Sequence, residues 1–153
     1  MPRPSAKARG GAAFDALADS GMTVVATLPS NDPGALRVPA NGRAERYLPH
    51  TPILKRAAVA ITHGGMGVTQ KALAAGVPVV AVPFGRDQPE VARRVEVAGA
   101  GVSLSRSRLR PETLRAAVSR ALGCRDGAAS VAAGYRAAGG PPAAASAVES
   151  LLQ

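Results

Sequence analysis

The sequence predicts an α/β domain in which helices cover both faces of a parallel, doubly wound, Rossmann-like sheet. Three observations carry that expectation. Short apolar runs of strand type, at residues 22–28, 59–62, 79–82 and 101–104, alternate with segments of helical period. Glycine and proline punctuate the connections, as in Gly76-Val77-Pro78 and Pro83-Phe84-Gly85. The length of 153 residues suits one domain, and no internal repeat divides it.

Each element follows in order. Residues 1–11 contain Pro2, Pro4, Gly10 and Gly11 among the basic Arg3, Lys7 and Arg9, and read as a disordered lead. Residues 12–20 form a helix with Phe14, Leu17 and Ala18 on one face, stopped by Gly21. The strand at 22–28 leads to a loop at 29–39 marked by Asn31-Asp32-Pro33-Gly34. Residues 41–46 are loop or a short edge strand, and 52–57 a short helix with Pro52 in its first turn. After the strand at 59–62 come a helix at 68–75, a strand at 79–82, a helix at 88–98 with Val91 and Val95 on its inner face, and a strand at 101–104. A helix at 111–122 carries Leu114, Val118 and Ala121 as its inner stripe, and the Ala-rich tail, 127–153, reads as two helices broken at Gly139-Gly140-Pro141-Pro142.

Composition narrows the function. Hydrophobic residues make up 46% but aromatics only 3%, so the core is expected from small aliphatic side chains. The net charge is +9, with arginine far outnumbering lysine. Apart from Arg106, Arg108 and Arg110 the arginines are scattered, and without an aromatic ladder for bases to stack on, a nucleic-acid partner is not expected. A basic surface that attracts an anionic nucleotide fits better. Cys124 is the sole cysteine, no apolar run approaches membrane-spanning length and no signal-peptide core follows the basic start; a cytoplasmic protein is the expectation. Nothing has the spacing of a metal site, so no metal or other cofactor is expected.

The chain is organised around Thr62-His63-Gly64-Gly65-Met66-Gly67-Val68-Thr69. A strand runs into a glycine turn and then into a helix N-terminus, whose first N–H groups have no intrahelical partner and stand at the positive end of the helix dipole. Such a junction accepts phosphate, and His63 adds a hydrogen-bond donor. The turn fits neither the dinucleotide fingerprint nor the phosphate loop that ends in Gly-Lys-Ser/Thr.

The continuation is more specific. His63-Gly64-Gly65, a helix ending Ala74-Ala75-Gly76-Val77-Pro78, then Pro83 and Asp87-Gln88, resembles the donor-binding signature of the UDP-glycosyltransferase family of GT-B fold, especially bacterial enzymes that glycosylate macrolides and other natural products. The resemblance covers residues 23–122. It implies a donor-binding C-terminal half-domain whose substrate is a UDP- or dTDP-sugar. His63 with Gly65, Met66, Gly67 and Val68 would hold the diphosphate, Asp87 and Gln88 the sugar, and Tyr47 and Leu48 the nucleobase. Tyr47 can equally be a half-buried packing aromatic, and Asp87 a helix cap.

Departures from the family pattern fall on the same helix. Val68 stands where many members carry a hydroxyl, which Thr69 replaces only if the turn shifts. Lys71 stands where most have a ribose-binding glutamate; it cannot accept a hydrogen bond, so Gln70 takes the ribose or Lys71 is simply a solvated residue. The family's glycine-rich opening strand before the first helix is not found, and neither is the acceptor domain, which carries the catalytic base. No catalytic residue is therefore expected in this chain.

The implied reaction is inverting transfer of a hexose to a hydroxyl of a small-molecule acceptor. The chain is expected to be the donor half of such an enzyme, seen as a truncated reading frame or paired with a separate acceptor domain. The alternative is a non-catalytic sugar-nucleotide-binding or auxiliary module. A nucleotide-sugar epimerase of related fold is opposed by the Asp87-Gln88 pair. The face left open is expected to be apolar and to promote self-association.

Overall fold

The structure, a computed structural model, describes residues 6–29 and 32–152. Its elements are α1 (Ala6–Leu17), β1 (Val24–Thr27), β2 (Gly42–Glu45), α2 (His50–Leu54), β3 (Ala60–Thr62), α3 (Met66–Ala74), β4 (Val79–Ala81), α4 (Gln88–Val97), β5 (Gly101–Ser103), α5 (Pro111–Leu122), α6 (Arg125–Ala137) and α7 (Gly140–Glu149), with short 3₁₀ turns at Pro33–Ala35, Arg106–Arg108 and Ser150–Leu152. Every strand pair is parallel.

The strands form two hydrogen-bonded groups, β1-β2 and β3-β4-β5, where one sheet was expected. Among the described residues β1 pairs only with β2, and β3 only with β4. Both groups nevertheless pack on one helical layer. Phe14 and Leu17 of α1, Val24 of β1, Val80 of β4 and Leu114 and Val118 of α5 share a core, with Ala26, Ala44 and Ile61 at its margin. A parallel ladder depends on matched edges, whereas apolar burial has no direction. The core can therefore be continuous where the ladder is not.

β4 is the fulcrum. Its pleat sends Val80, with Val82 beyond it, into the α1/α5 core, while Val79 and Ala81 face a second core built from α2, α3, α4 and α6. Helices thus lie on both faces, as the alternation of elements predicts. The second core is lined by Ala72, Ala92, Ala100 and Ala128, and such small side chains let backbones approach closely. A Cβ placed on Gly127 of α6 would stand 2.1 Å from the Gly99 carbonyl oxygen, so glycine is what lets α6 dock on the turn after α4.

Several boundaries differ from the sequence reading. Residues 6–11, expected as disordered lead, belong to α1, because Ala6, Lys7, Ala8 and Arg9 are strong helix formers that carry the helix through Gly10 and Gly11. Residues 1–5 of that lead lie outside the described residues. The short helix expected at 52–57 starts at His50, α3 starts at Met66 instead of Val68, and the first tail helix starts at Arg125. The tail does break where the glycines stand, with Gly139 and Gly140 at φ of 75° and 61°. α7 contributes no buried residue to either core, and Val148, Leu151 and Leu152 are exposed at this end. No helix among the described residues is long and apolar enough to cross a membrane.

A cavity of about 460 Å³ lies where the chain enters β3 and β4, lined by Lys55, Arg56, Gly76, Pro78, Arg125 and Asp126. It is at the opposite end of those strands from His63 and Asp87.

Candidate functional site

In a parallel α/β sheet, ligands collect at the carboxyl ends of the strands. His63 follows β3 and the Asp87-Gln88 pair follows β4, so adjacent parallel strands deliver both to one edge.

The junction after β3 is made by backbone. Thr62 is buried, and its Oγ1 accepts a 3.3 Å hydrogen bond from the Gly64 N–H. Gly64 turns the chain at φ 81°, in the left-handed region that disfavours any Cβ. Gly65 is the N-cap of α3 and offers no side-chain cap. The first bond of this helix runs from the Thr69 N–H to the Gly65 carbonyl at 3.1 Å. The N–H groups of Met66, Gly67 and Val68 therefore precede any intrahelical partner and point out along the positive helix end. Met66 and Gly67 are exposed, and nothing lies within 4 Å of where a Gly67 Cβ would be. The exposed His63 ring folds over this turn: a Cβ on Gly65 would stand 2.4 Å from His63 Nε2.

The junction after β4 keeps its side chains. Gln88 Oε1 accepts a 2.8 Å hydrogen bond from the Phe84 N–H, which closes the loop and leaves the amide NH₂ of Gln88 as the donor end of the side chain. Asp87 occupies the N-cap position of α4 but makes no side-chain cap bond, so the capping role weighed for it is not what its carboxylate does. Arg106 stacks over the Phe84 ring at 5.5 Å. Within the first turns of α4, Glu90 is bound by Arg93 and Arg94, hydrogen bonds that lower its pKa from 4.5 to about 2. The two junctions touch, since a Cβ on Gly64 would stand 3.1 Å from the backbone oxygen of Gln88.

Tyr47 follows β2 and is 80% exposed, so it is not the half-buried packing aromatic that was its alternative. Leu48 beside it is half-buried. His50, the first residue of α2, meets Thr27 Oγ1 at the end of β1 through its Nε2 at 3.1 Å, and so ties the β1-β2 group to α2. On α3, Thr69 is 2% exposed and its hydroxyl has no hydrogen-bond partner among the described residues. It is turned into the protein and does not stand in for the hydroxyl that Val68 lacks. Gln70 and Lys71 are both exposed, and Lys71 lies in the last turn, where a cation is favoured by the helix dipole.

Two features escape a sequence reading. Arg86 has φ 58°, the only positive φ at a non-glycine among the described residues, and the composition of Gly85-Arg86-Asp87 signals a turn without saying which residue bears it. The engagement of Gln88 by its own loop is likewise invisible, because a glutamine beside an aspartate at a helix start fits several bonding patterns.

The family described as erythromycin biosynthesis protein CIII-like, C-terminal domain, matches residues 12–151. Over 109 residues the chain is 43% identical to a PGL/p-HBAD biosynthesis glycosyltransferase of Mycobacterium tuberculosis, covering 71% of this chain and 25% of that relative. It is 41% identical over 111 residues to 4'-demethylrebeccamycin synthase of Lentzea aerocolonigenes, covering 72% of this chain and 26% of the relative. Among solved structures, the calicheamicin glycosyltransferase CalG4 superposes with a TM-score of 0.90 at 33% identity, over 97% of this chain and 39% of that one. The glycosyltransferase VinC, solved in complex with DTDP, gives 0.77 at 28% identity, over 86% of this chain and 35% of that one. The chain spans about a quarter of the length of these curated relatives. With its parallel strands, helices on both faces and glycine turn after β3, this chain belongs to the erythromycin biosynthesis protein CIII-like C-terminal domain family of glycosyltransferases.

Proposed function

We propose that this chain is the donor-binding half of an inverting glycosyltransferase that moves a hexose from a nucleoside-diphosphate sugar to a hydroxyl of a small natural-product acceptor. The observation that carries the reading is the β3–α3 junction, where the N–H groups of Met66, Gly67 and Val68 stand beneath an exposed His63. A diphosphate placed there takes hydrogen bonds from those groups and from the imidazole, at the positive end of α3. That VinC was solved with DTDP supports the ligand class.

The remaining side chains sort by chemistry. The uncapped Asp87 carboxylate accepts from sugar hydroxyls, while the Gln88 amide donates to one. The exposed face of Tyr47 offers a platform for the base, with the Leu48 backbone reading its edge. As the acceptor hydroxyl attacks the anomeric carbon, negative charge grows on the departing diphosphate, and the donors at His63 stabilise it. The general base and the acceptor pocket belong to a partner domain. The setting proposed is cytoplasmic, and self-association through the face meant for that domain is part of the proposal.

A second reading, a sugar-nucleotide-binding module without transfer activity, is favoured by Val68, Lys71 and the inward Thr69, which together withhold a hydroxyl and a carboxylate from the nucleotide. It shares the binding step, and it parts from the first if a supplied acceptor domain restores no transfer.

The test is calorimetric titration of the folded chain with UDP and with dTDP, beside His63→Ala. Binding of at least one nucleotide is expected, weakened about tenfold or more by the substitution, the scale of one charge-assisted hydrogen bond. A folded chain that gives no heat with either nucleotide overturns the proposal.

A further inference from the structure

We propose that Arg86 is a diphosphate-recognition residue, held in an unfavourable backbone conformation so that its guanidinium stays available to the donor. The inference rests on the donor-binding reading and adds to it a residue on the other junction. Arg86 sits at φ 58°, immediately after Gly85. A side chain with a Cβ is disfavoured there, and glycine would adopt the same turn freely. Conformational strain of this kind collects at functional sites, and here the strained residue is also exposed. Arg86 is exposed, and its guanidinium has no hydrogen bond, ion pair or ring contact among the described residues. No pairing among the described residues explains an arginine in this position.

Its place explains it better. The loop that bears Arg86 closes on itself through Gln88 Oε1, and the backbone of Gln88 lies against Gly64 at the heart of the phosphate-binding turn. Arg86 therefore belongs to the segment that rests on that turn. Asp87 is the carboxylate beside it and makes no cap bond, while Arg106 is occupied over Phe84. A guanidinium offers planar donors that match two phosphate oxygens at once and stays charged at every working pH. It also supplies a full charge, which the α3 N-terminus, with its partial one, does not.

The experiment compares dTDP with dTMP, and UDP with UMP, binding to the wild type, Arg86→Gly, Arg86→Lys and His63→Ala, with a melting curve for each protein. Arg86→Gly is expected to melt at or above the wild-type temperature, because glycine relieves the turn. It should bind the diphosphate about tenfold more weakly, with less than a twofold change for the monophosphate, the size of one lost charge-assisted contact. Arg86→Lys should recover part of the loss. Diphosphate binding unchanged in Arg86→Gly, while His63→Ala loses it, overturns this inference and leaves the donor-binding reading standing. A lower melting temperature with both ligands weakened alike makes Arg86 a structural residue and also overturns it. A wild type that binds no nucleotide removes both readings together.

Discussion

The junctions after β3 and β4 follow one plan with opposite materials. Each passes from a parallel strand into a helix, contains a left-handed residue, is braced by a side chain bonded to a loop N–H, and reaches its helix without a side-chain cap. The first puts a buried glycine at the left-handed position, and the second an exposed arginine. Removing side chains leaves backbone N–H groups, which suit a tetrahedral anion whatever is attached to it. Keeping them leaves Asp87 and Gln88, which can be chosen to fit one arrangement of hydroxyls, and Arg86, whose full charge faces the same anion. On the donor-binding reading proposed above, anion recognition rests on glycine, the helix dipole and His63, with Arg86 adding charge, and sugar selectivity rests on Asp87 and Gln88 one strand away.

The largest effect should come from Gly64→Ala, since Gly64 belongs to both halves of the comparison. Its φ of 81° disfavours a Cβ, and that Cβ would press on the Gln88 carbonyl from 3.1 Å. A loss of about 1–2 kcal/mol is expected from the left-handed backbone alone. The midpoint of denaturant unfolding measures it. Nucleotide binding should fall in the same variant, because the second junction is displaced with the first. Unchanged stability and binding would show that the junctions are not coupled through this contact.

Asp87→Ala isolates the second junction. Losing a true N-cap costs about 1 kcal/mol, but Asp87 makes no cap bond, so its removal should leave stability within about 0.5 kcal/mol. Affinity for an intact nucleoside-diphosphate sugar should fall about tenfold, while affinity for the free diphosphate changes little. Equal losses for both ligands would move Asp87 from the sugar to the phosphates and blur the division between the junctions.

What the sequence made legible follows the same division. The strands, the helices on both faces and the glycine turn after β3 came from apolar period and from residues whose backbone preferences are strong. The sequence pattern starts α3 at Val68, two residues late, because Gly65-Met66-Gly67 looks like a continuing turn, and local propensity does not register the Thr69-to-Gly65 bond that begins the helix there. The split between β1-β2 and β3-β4-β5 was equally out of reach, because the apolar pattern reports burial, and the α1/α5 core runs under both groups. At the second junction Asp87 and Gln88 were identified by type. Which of them is free depends on loop closure, and the left-handed Arg86 runs against the usual preference, so no propensity could have found it.

The smallest expected effect sharpens the account of the first junction. Thr69 lies one turn into α3, buried, with a hydroxyl that meets no partner among the described residues. A buried unpaired polar group costs about 1–3 kcal/mol, whereas an apolar group of the same shape does not, and valine matches threonine in shape and branching. Thr69→Val should therefore stabilise the chain by about 1 kcal/mol and leave nucleotide binding unchanged, read by unfolding midpoint and by titration with dTDP. Lower stability would mean that the hydroxyl has a bond worth keeping, to a helical carbonyl or to water. Raised stability with weakened binding would carry a different lesson. The helix start would then rotate when the diphosphate arrives, bringing Thr69 outward to supply the hydroxyl that Val68 cannot, and the first junction would read its ligand through a second side chain beside His63.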